Sequence, residues 1–345
     1  MTKRLTYILL TLLLPAILFA RAGSSVFPFL NLPTGARQAA FGGSNITLYD
    51  NDLNFAFANP ALLSEKTHNF LGLNYTNQFN DVNIGSAIYG RNFSDKDFMA
   101  FGIHYVDYGT FLETNEINQT LGTFTAKDMA ITAMYCRWLS PRWTMGVTMK
   151  PIFSFYERYF SSGLGFDLGF SYHNEEALFA AGLVLRNVGF QFNGYNSING
   201  GNKQEILPID LQIAVSQKLP KAPLRFHLTL HNLQTWDLSY GASSNVPDKM
   251  DGKTKVAKGA DMFFRHTIWA IEILPHKNFY IVASYNHRRS KEMSVKDKRS
   301  IAGFAFGAGF HAYKCNVGFS VVPYQTGSLG YNLTFSTNLT DFGIK

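Results

Sequence analysis

The stretch Leu164-Gly165-Phe166-Asp167-Leu168-Gly169-Phe170-Ser171-Tyr172 constrains this chain more than any other. Successive side chains of an extended strand point to opposite sides. Leu164, Phe166, Leu168, Phe170 and Tyr172 therefore share one face, and Gly165, Asp167, Gly169 and Ser171 share the other. The first face is large and apolar; the second mixes glycine, hydroxyl and carboxylate. The same two-residue repeat returns along the chain without helical patterns between. Large apolar groups toward lipid and small polar groups toward a lumen are the pattern of a transmembrane barrel.

Fourteen segments carry the repeat: residues 69–76, 82–91, 97–107, 128–138, 143–153, 163–172, 177–187, 207–217, 223–232, 264–274, 278–287, 300–310, 312–321 and 329–339. Clear cases set Trp143, Met145, Val147 and Met149 against Thr144, Gly146, Thr148 and Lys150, and Leu224, Phe226, Leu228 and Leu230 against Arg225, His227, Thr229 and His231. The joins agree. With the first strand running outward, every even-to-odd join is a tight periplasmic turn and odd-to-even joins are free to be long. Residues 139–142, 173–176, 220–222 and 275–277 are short joins of the first kind, and 108–127, 188–206, 233–263 and 287–299 are long joins of the second. A soluble β-sandwich has no reason to sort loop lengths by parity. The expected fold is all-β: a transmembrane antiparallel β-barrel of about 14 strands.

Composition excludes the other membrane class. Aromatics are 15% of residues, with 31 Phe and 17 Tyr, and charged residues are only 16%, below the usual quarter. Yet the mean hydropathy is near zero, and no segment after the N-terminus reaches the ~20 apolar residues of a spanning helix. The N-terminus reads as a signal peptide over residues 1–22, with basic Lys3 and Arg4, an apolar run over 7–19 and an Ala20-Arg21-Ala22 cleavage site. The expected destination is the outer membrane. No cysteine stands directly after the cleavage site, so a lipid anchor is not expected. The net charge of +7 includes Lys3, Arg4 and Arg21; the remaining excess is too small and dispersed for nucleic acid. Cys136 and Cys315 fall on separate strands and read as small apolar fillers, with neither a disulfide framework nor metal-ligand spacing. No metal, cofactor or catalytic residue is expected.

Residues 23–67 lack the repeat. Turn residues and short apolar pieces alternate there, which predicts short helical turns and loops. A wide barrel leaves an open lumen unless something fills it. The expected organisation is thus a signal peptide at 1–22, an N-terminal hatch or plug at 23–67 and a barrel at 68–345.

Three groups of residues invite chemistry. Gly163-x-Gly165 and Gly307-Ala308-Gly309 open no helix in a βαβ unit, so they do not read as phosphate-binding loops. They read as lumen-facing positions where a plug backbone approaches. His104, His227, His231 and His266 are expected to point into the lumen and form ordinary hydrogen bonds. Two outer loops are basic, one with Lys249, Lys253, Lys255 and Lys258, the other with His287, Arg288, Arg289, Lys291, Lys296, Lys298 and Arg299. They read either as solvated loops or as contacts for lipopolysaccharide phosphates or an acidic partner.

The segment Phe29-Leu30-x-Leu32-Pro33-x-x-Ala36-Arg37-x-Ala39-Ala40-x-Gly42-Gly43, followed by Asn59-Pro60-Ala61, resembles the N-terminal signature of the PorV/PorQ family, within the wider FadL-like group of outer-membrane barrels. Further matches lie on the PorQ branch: Asn69-Phe70-x-x-Leu73-Asn74-Tyr75, Tyr105-Val106-x-Tyr108-Gly109, Gly182-Leu183-Val184-x-x-Asn187-Val188-Gly189 and Trp236-Asp237-Leu238. Asn278-Phe279-Tyr280, Tyr285-Asn286-x-Arg288-Arg289-x-x-Glu292 and Ser336-Thr337-Asn338-Leu339 extend the match to the end of the chain.

The resemblance implies a fourteen-stranded barrel with an N-terminal hatch, in the outer membrane of a Bacteroidetes-type bacterium. It implies a non-enzymatic role in type IX secretion, scaffolding the surface attachment complex for cargo with C-terminal secretion signals. Its implied partners are PorZ first, with PorU, the sortase-like peptidase, and PorV, the cargo shuttle. Gly35, Ala36, Arg37, Gly42, Gly43, Asn59, Pro60 and Ala61 would then belong to the hatch. Gly42-Gly43 suits a turn with positive φ, and Asn59 can bond its own main chain. A buried Arg37 needs an acidic partner or carbonyls, and Asp167 is a candidate for the former. Partner affinity would reside in loop aromatics such as Trp236 and Phe263 and in the basic clusters, with lipid and lipopolysaccharide around them. The alternative is a FadL-like transporter of hydrophobic small molecules.

Overall fold

The computed structural model describes residues 25–343 apart from 51, 79–80, 118, 196–203, 239–254, 294–299 and 326–327. The segment expected to be a signal peptide lies outside the described residues.

Fourteen antiparallel strands, β1 (Phe70–Asn77), β2 (Asn83–Asn92), β3 (Asp97–Thr114), β4 (Thr120–Ser140), β5 (Trp143–Tyr156), β6 (Tyr159–Asn174), β7 (Phe179–Asn193), β8 (Asp210–Lys218), β9 (Leu224–Leu230), β10 (Thr267–His276), β11 (Phe279–Asn286), β12 (Phe304–Ala312), β13 (Cys315–Gln325) and β14 (Ser328–Asn338), form one closed barrel. Each pairs with its neighbours in sequence, and β1 closes the ring on β14 with Phe70 opposite Asn338. Closure gives every strand a hydrogen-bonded neighbour on each side along the barrel wall.

The two faces separate as the repeat requires. On β6, Gly165, Asp167, Gly169 and Ser171 are buried while Phe166 is 42% exposed. Leu73, Phe101, Val147, Ile213, Ile271 and Leu333 are large apolar side chains that point outward and stay exposed. A belt of this kind is costly in water and suits contact with lipid hydrocarbon. No described helix is long and apolar enough to cross a membrane.

Loop lengths sort by end of the barrel. At one end, residues 93–96, 141–142, 175–178, 219–223, 277–278 and 313–314 make tight turns. At the other lie the long joins 194–209, 231–266 and 287–303. Three expectations need correction. The segment 108–127, read as a loop, is mostly β-ribbon: β3 and β4 continue past the barrel, with Phe111 opposite Phe124 and only residues 115–119 between them. Its Thr, Leu and Phe residues favour a pleated strand despite their polar neighbours. In the same way β5 and β6 run on to a two-residue turn, where Glu157 takes a φ of 56°. Finally, two of the long joins contain helices, numbered below after the short N-terminal helix α1 (Ala36–Ala40): α2 (Lys255–Arg265) and α3 (His287–Met293). Each carries an i,i+4 ion pair, Asp261 with Arg265 and Arg288 with Glu292, a spacing that supports a helix.

Residues 26–50 and 52–67 run inside the ring, largely buried, as short 3-10 turns, loops and helix α1. Their side chains meet inward-facing groups all round the wall. The core is therefore where the N-terminal segment and the barrel interior meet, in clusters such as Leu53, Phe57, Leu63, Phe98 and Met134.

Candidate functional site inside the barrel

The N-terminal segment closes its own short turns, with Ala39 N–H donating to the Gly35 carbonyl and Asn59 N–H to the Phe55 carbonyl, and wall side chains pair with other main-chain groups. Ala36 N–H donates to Thr334 Oγ1 at 2.8 Å, Ser284 Oγ donates to the Ala40 carbonyl at 2.6 Å, and Thr144 Oγ1 donates to the Ala61 carbonyl at 2.6 Å. Ser86 Oγ donates to the Thr34 carbonyl at 2.7 Å. These anchors come from β14, β11, β5 and β2. Buried backbone groups must be paired somewhere, and small polar residues on the inward face make that possible.

Glycines on the wall admit the segment's backbone. A Cβ at Gly146 would lie 2.5 Å from the Pro60 carbonyl carbon, and one at Gly182 would lie 2.5 Å from the Ile46 carbonyl oxygen. The glycine pairs singled out in the sequence do less of this. Gly163 meets the Phe27 ring and Gly165 meets Leu207, both side chains, while Gly307 faces the Ala40 methyl. Gly309 is covered by Tyr280.

Arg37 on α1 is the electrostatic centre. Its Nη2 lies 2.6 Å from Glu272 Oε1 and 2.9 Å from Asp50 Oδ2, and its Nη1 lies 3.8 Å from Asp52 Oδ2. The guanidinium also sits 4.3 Å from the Tyr280 ring centre. Arg225 on β9 reaches the second oxygen of Glu272 at 3.1 Å. Burial works against the Arg37 charge, but the Asp50 and Glu272 carboxylates outweigh it and hold the guanidinium charged. Burial also lifts the Asp52 carboxyl above its ordinary range, Arg37 offsetting only part of that. Asp167 is not the partner of Arg37. It pairs instead with Lys150 at 2.6 Å, on the β5–β6 side of the barrel.

The other signature residues have structural tasks here. Gly35 precedes α1 under the Asn74 side chain, where a Cβ would lie 2.9 Å from Asn74 Oδ1. Gly42 and Gly43 turn the chain with φ of 79° and 102°. Asn59 caps the turn Pro60–Leu62 by accepting from Ala61 N–H at 3.0 Å, and its amide donates to the Ile46 carbonyl at 3.0 Å. The four histidines face inward: His104 lies against Phe29, His227 against Asn45 and Phe41, and His231 and His266 meet at the long-loop end.

The basic outer residues divide. Lys249, Lys253, Lys296, Lys298 and Arg299 lie outside the described residues, and Lys255 and Lys258 fall in the first turn of α2. Arg288 pairs with Glu292 at 2.7 Å, and Lys291 approaches Asp261 on α2 at 3.7 Å. Arg289, expected to serve as a docking group, turns inward instead: its Nη2 donates to the Gly42 carbonyl at 3.1 Å. The Gly42 carbonyl also accepts from Asn286 Nδ2 at 3.2 Å, so Arg289 is its second donor, and the charge-assisted bond outweighs exposure. Trp236 is 64% exposed and stacks on His266, and Phe263 is 48% exposed.

Glu272, Asp50 and Asp52 were not anticipated as Arg37 partners. The signal for Glu272 is an acidic residue at an inward position of β10, between outward Ile271 and Ile273. At the tight-turn end a cavity of about 730 Å³ opens onto Arg37, Asp50, Asp52 and Arg225.

Comparison with protein-family models finds no match, and comparison with curated proteins finds none. Among solved structures the toluene transporter TodX of Pseudomonas putida matches with a TM-score of 0.54 at 11% identity, over 89% of this chain and 98% of that one. The toluene transporter TbuX of Ralstonia pickettii gives 0.51 at 11% identity, over 89% and 99% of the two chains. A Pseudomonas aeruginosa FadL homologue gives 0.50 at 11% identity, over 92% and 100%. At such identities the likeness is one of fold, and the fold is FadL-like.

Proposed function

We propose that this chain is an outer-membrane barrel that stays sealed by its N-terminal segment and acts by binding, as a scaffold of the type IX secretion attachment complex. The sealed part of the reading rests on one observation: Arg37 ties the segment to the wall through Glu272 while side chains from around the ring hold its backbone. The secretion part rests on the sequence resemblance, whose signature residues all have places in this packing. Under this reading the long-loop end, with Trp236, Phe263, α2 and α3, faces the cell surface and meets PorZ, with PorU and PorV nearby. The outward apolar belt meets lipid, and lipopolysaccharide lies around the loops.

A second reading is passage of a hydrophobic small molecule, and the fold neighbours lean toward it, since TodX and TbuX are toluene transporters. It requires the segment to move and an apolar path past it. The cavity at the tight-turn end sets the charged groups Arg37, Asp50, Asp52 and Arg225 beside apolar Phe70, Leu274, Phe279, Phe310 and Val317, so an apolar route there would have to pass an ionic cluster.

Gene deletion followed by fractionation of cargo carrying the C-terminal secretion signal separates the two. Cargo held in the periplasm, or on the surface but unattached, is the expected result. Normal export and attachment, with loss of uptake of labelled toluene or fatty acid, would replace the first reading by the second.

A further inference from the structure

We propose that the cavity at the tight-turn end is a docking site for an acidic peptide segment of a partner protein. Its floor offers no surplus positive charge, because Arg37 and Arg225 face Asp50, Asp52 and the buried Glu272. Its rim is different. Lys66, Lys218, Lys277 and Lys314 stand around the opening, with Asp341 as the one carboxylate at that level among the described residues. Lys314 donates to the Asp341 main-chain carbonyl and Lys66 lies over the Tyr49 ring. Among the described residues, no hydrogen bond or ion pair reaches the ammonium groups of Lys218 and Lys277.

The arrangement selects its occupant. The four lysines come from separate places: the turn Glu65–Thr67, the end of β8, the β10–β11 turn and the β12–β13 turn. A small anion is held by converging donors, often a rigid arginine fork. Flexible lysines spread round an opening give instead a broad positive field, which suits a chain bearing several carboxylates. The floor's surplus of carboxylates keeps such a chain at the rim and away from Arg37. Leu274 and Val317 beside the rim supply apolar contact for its side chains. The site requires only the folded barrel, so it stands or falls apart from the secretion reading.

The test is fluorescence anisotropy of a short labelled poly-glutamate peptide with the full barrel in detergent. Binding should weaken about tenfold between low salt and about 300 mM salt. Lys218→Glu with Lys277→Glu should weaken it about tenfold and the matching glutamine pair about threefold, while Lys127→Glu at the other end leaves it within about twofold. A heat-dependent gel shift establishes that each variant is folded. No binding, or binding indifferent to changes at Lys218 and Lys277, would overturn the proposal. Displacement by inorganic phosphate at the peptide's own concentration would also overturn it, making this a small-anion site.

Discussion

Arg37 of α1 and Glu272 of β10 are 235 residues apart in sequence and 2.6 Å apart in space, with the carboxylate fully buried. The pair joins the N-terminal segment to the wall at a depth where neither charge can be left alone. Removing one partner of a buried ion pair typically costs about 3–5 kcal/mol, because the other charge remains unsolvated.

Arg37→Ala should therefore lower the temperature at which the barrel loses its fast-migrating form on a detergent gel. The loss corresponds to about 3 kcal/mol, since Glu272 keeps Arg225 as a second partner. Arg37→Met with Glu272→Gln should recover part of it. A double variant no better than the single would show that the pair is not what holds the segment.

Gly146→Val should unseat the segment near Pro60, because a Cβ there already lies 2.5 Å from backbone. Trypsin should then cut within residues 26–67 of the detergent-purified protein. Gly85→Ala is the control, since nothing lies within 4 Å of a Cβ at that position. Equal protection of both variants would contradict the close packing.

Asn59→Ala removes a cap and leaves the Ile46 carbonyl without its donor. A capping loss costs about 1 kcal/mol, and a stranded buried carbonyl adds about 1–2 kcal/mol. Thermal unfolding should register the sum. A fall below about 0.5 kcal/mol would place Asn59 outside the structural core.

The contact between α2 and α3 should weaken in acid. Asp261 accepts from Arg265 at 2.9 Å and from His287 at 3.1 Å, and lies 3.7 Å from Lys291. Burial tends to raise its carboxyl, but these partners win and hold it below the ordinary value. A depressed folded-state value contributes stability that is present above the unfolded value, near pH 4, and lost as pH falls through the folded one. Hydrogen exchange in α2, corrected for its intrinsic pH dependence, should rise near pH 3 relative to pH 6. Asp261→Asn should abolish that difference; an unchanged difference would assign it to another group.

How much of this was legible depends on how local each feature is. The alternation of Gly165, Asp167, Gly169 and Ser171 with larger residues gives strand and lumen face directly, because one strand's periodicity is a property of neighbours in sequence. The partner of Arg37 is not local. Asp167 and Glu272 both stand at inward positions, and only the order and stagger of closure decide which one faces α1. The ribbon beyond the barrel at Phe111 and Phe124 was hidden because Phe111 and Leu112 are adjacent and Leu121 and Phe124 fall on opposite faces, which breaks the two-residue repeat. The helices α2 and α3 carried a usable signal in the spacing of Asp261 with Arg265 and of Arg288 with Glu292. Arg289 shows the remaining limit: its charge is obvious, but its inward turn to Gly42 depends on where the segment places a carbonyl with room for a second donor beside Asn286.

The most direct test locks the segment in place. A Cβ at Gly318 would lie 3.7 Å from the Ala36 Cβ, within the spacing of a disulfide. Ala36→Cys with Gly318→Cys, in a background with Cys136 and Cys315 replaced by alanine, can be oxidised and reduced in the same cells. The quantity to measure is cargo attached at the cell surface. A sealed scaffold predicts equal attachment in the oxidised and reduced states. Attachment lost on oxidation and restored by reductant would show that the segment must move, and the sealed-barrel account would be wrong.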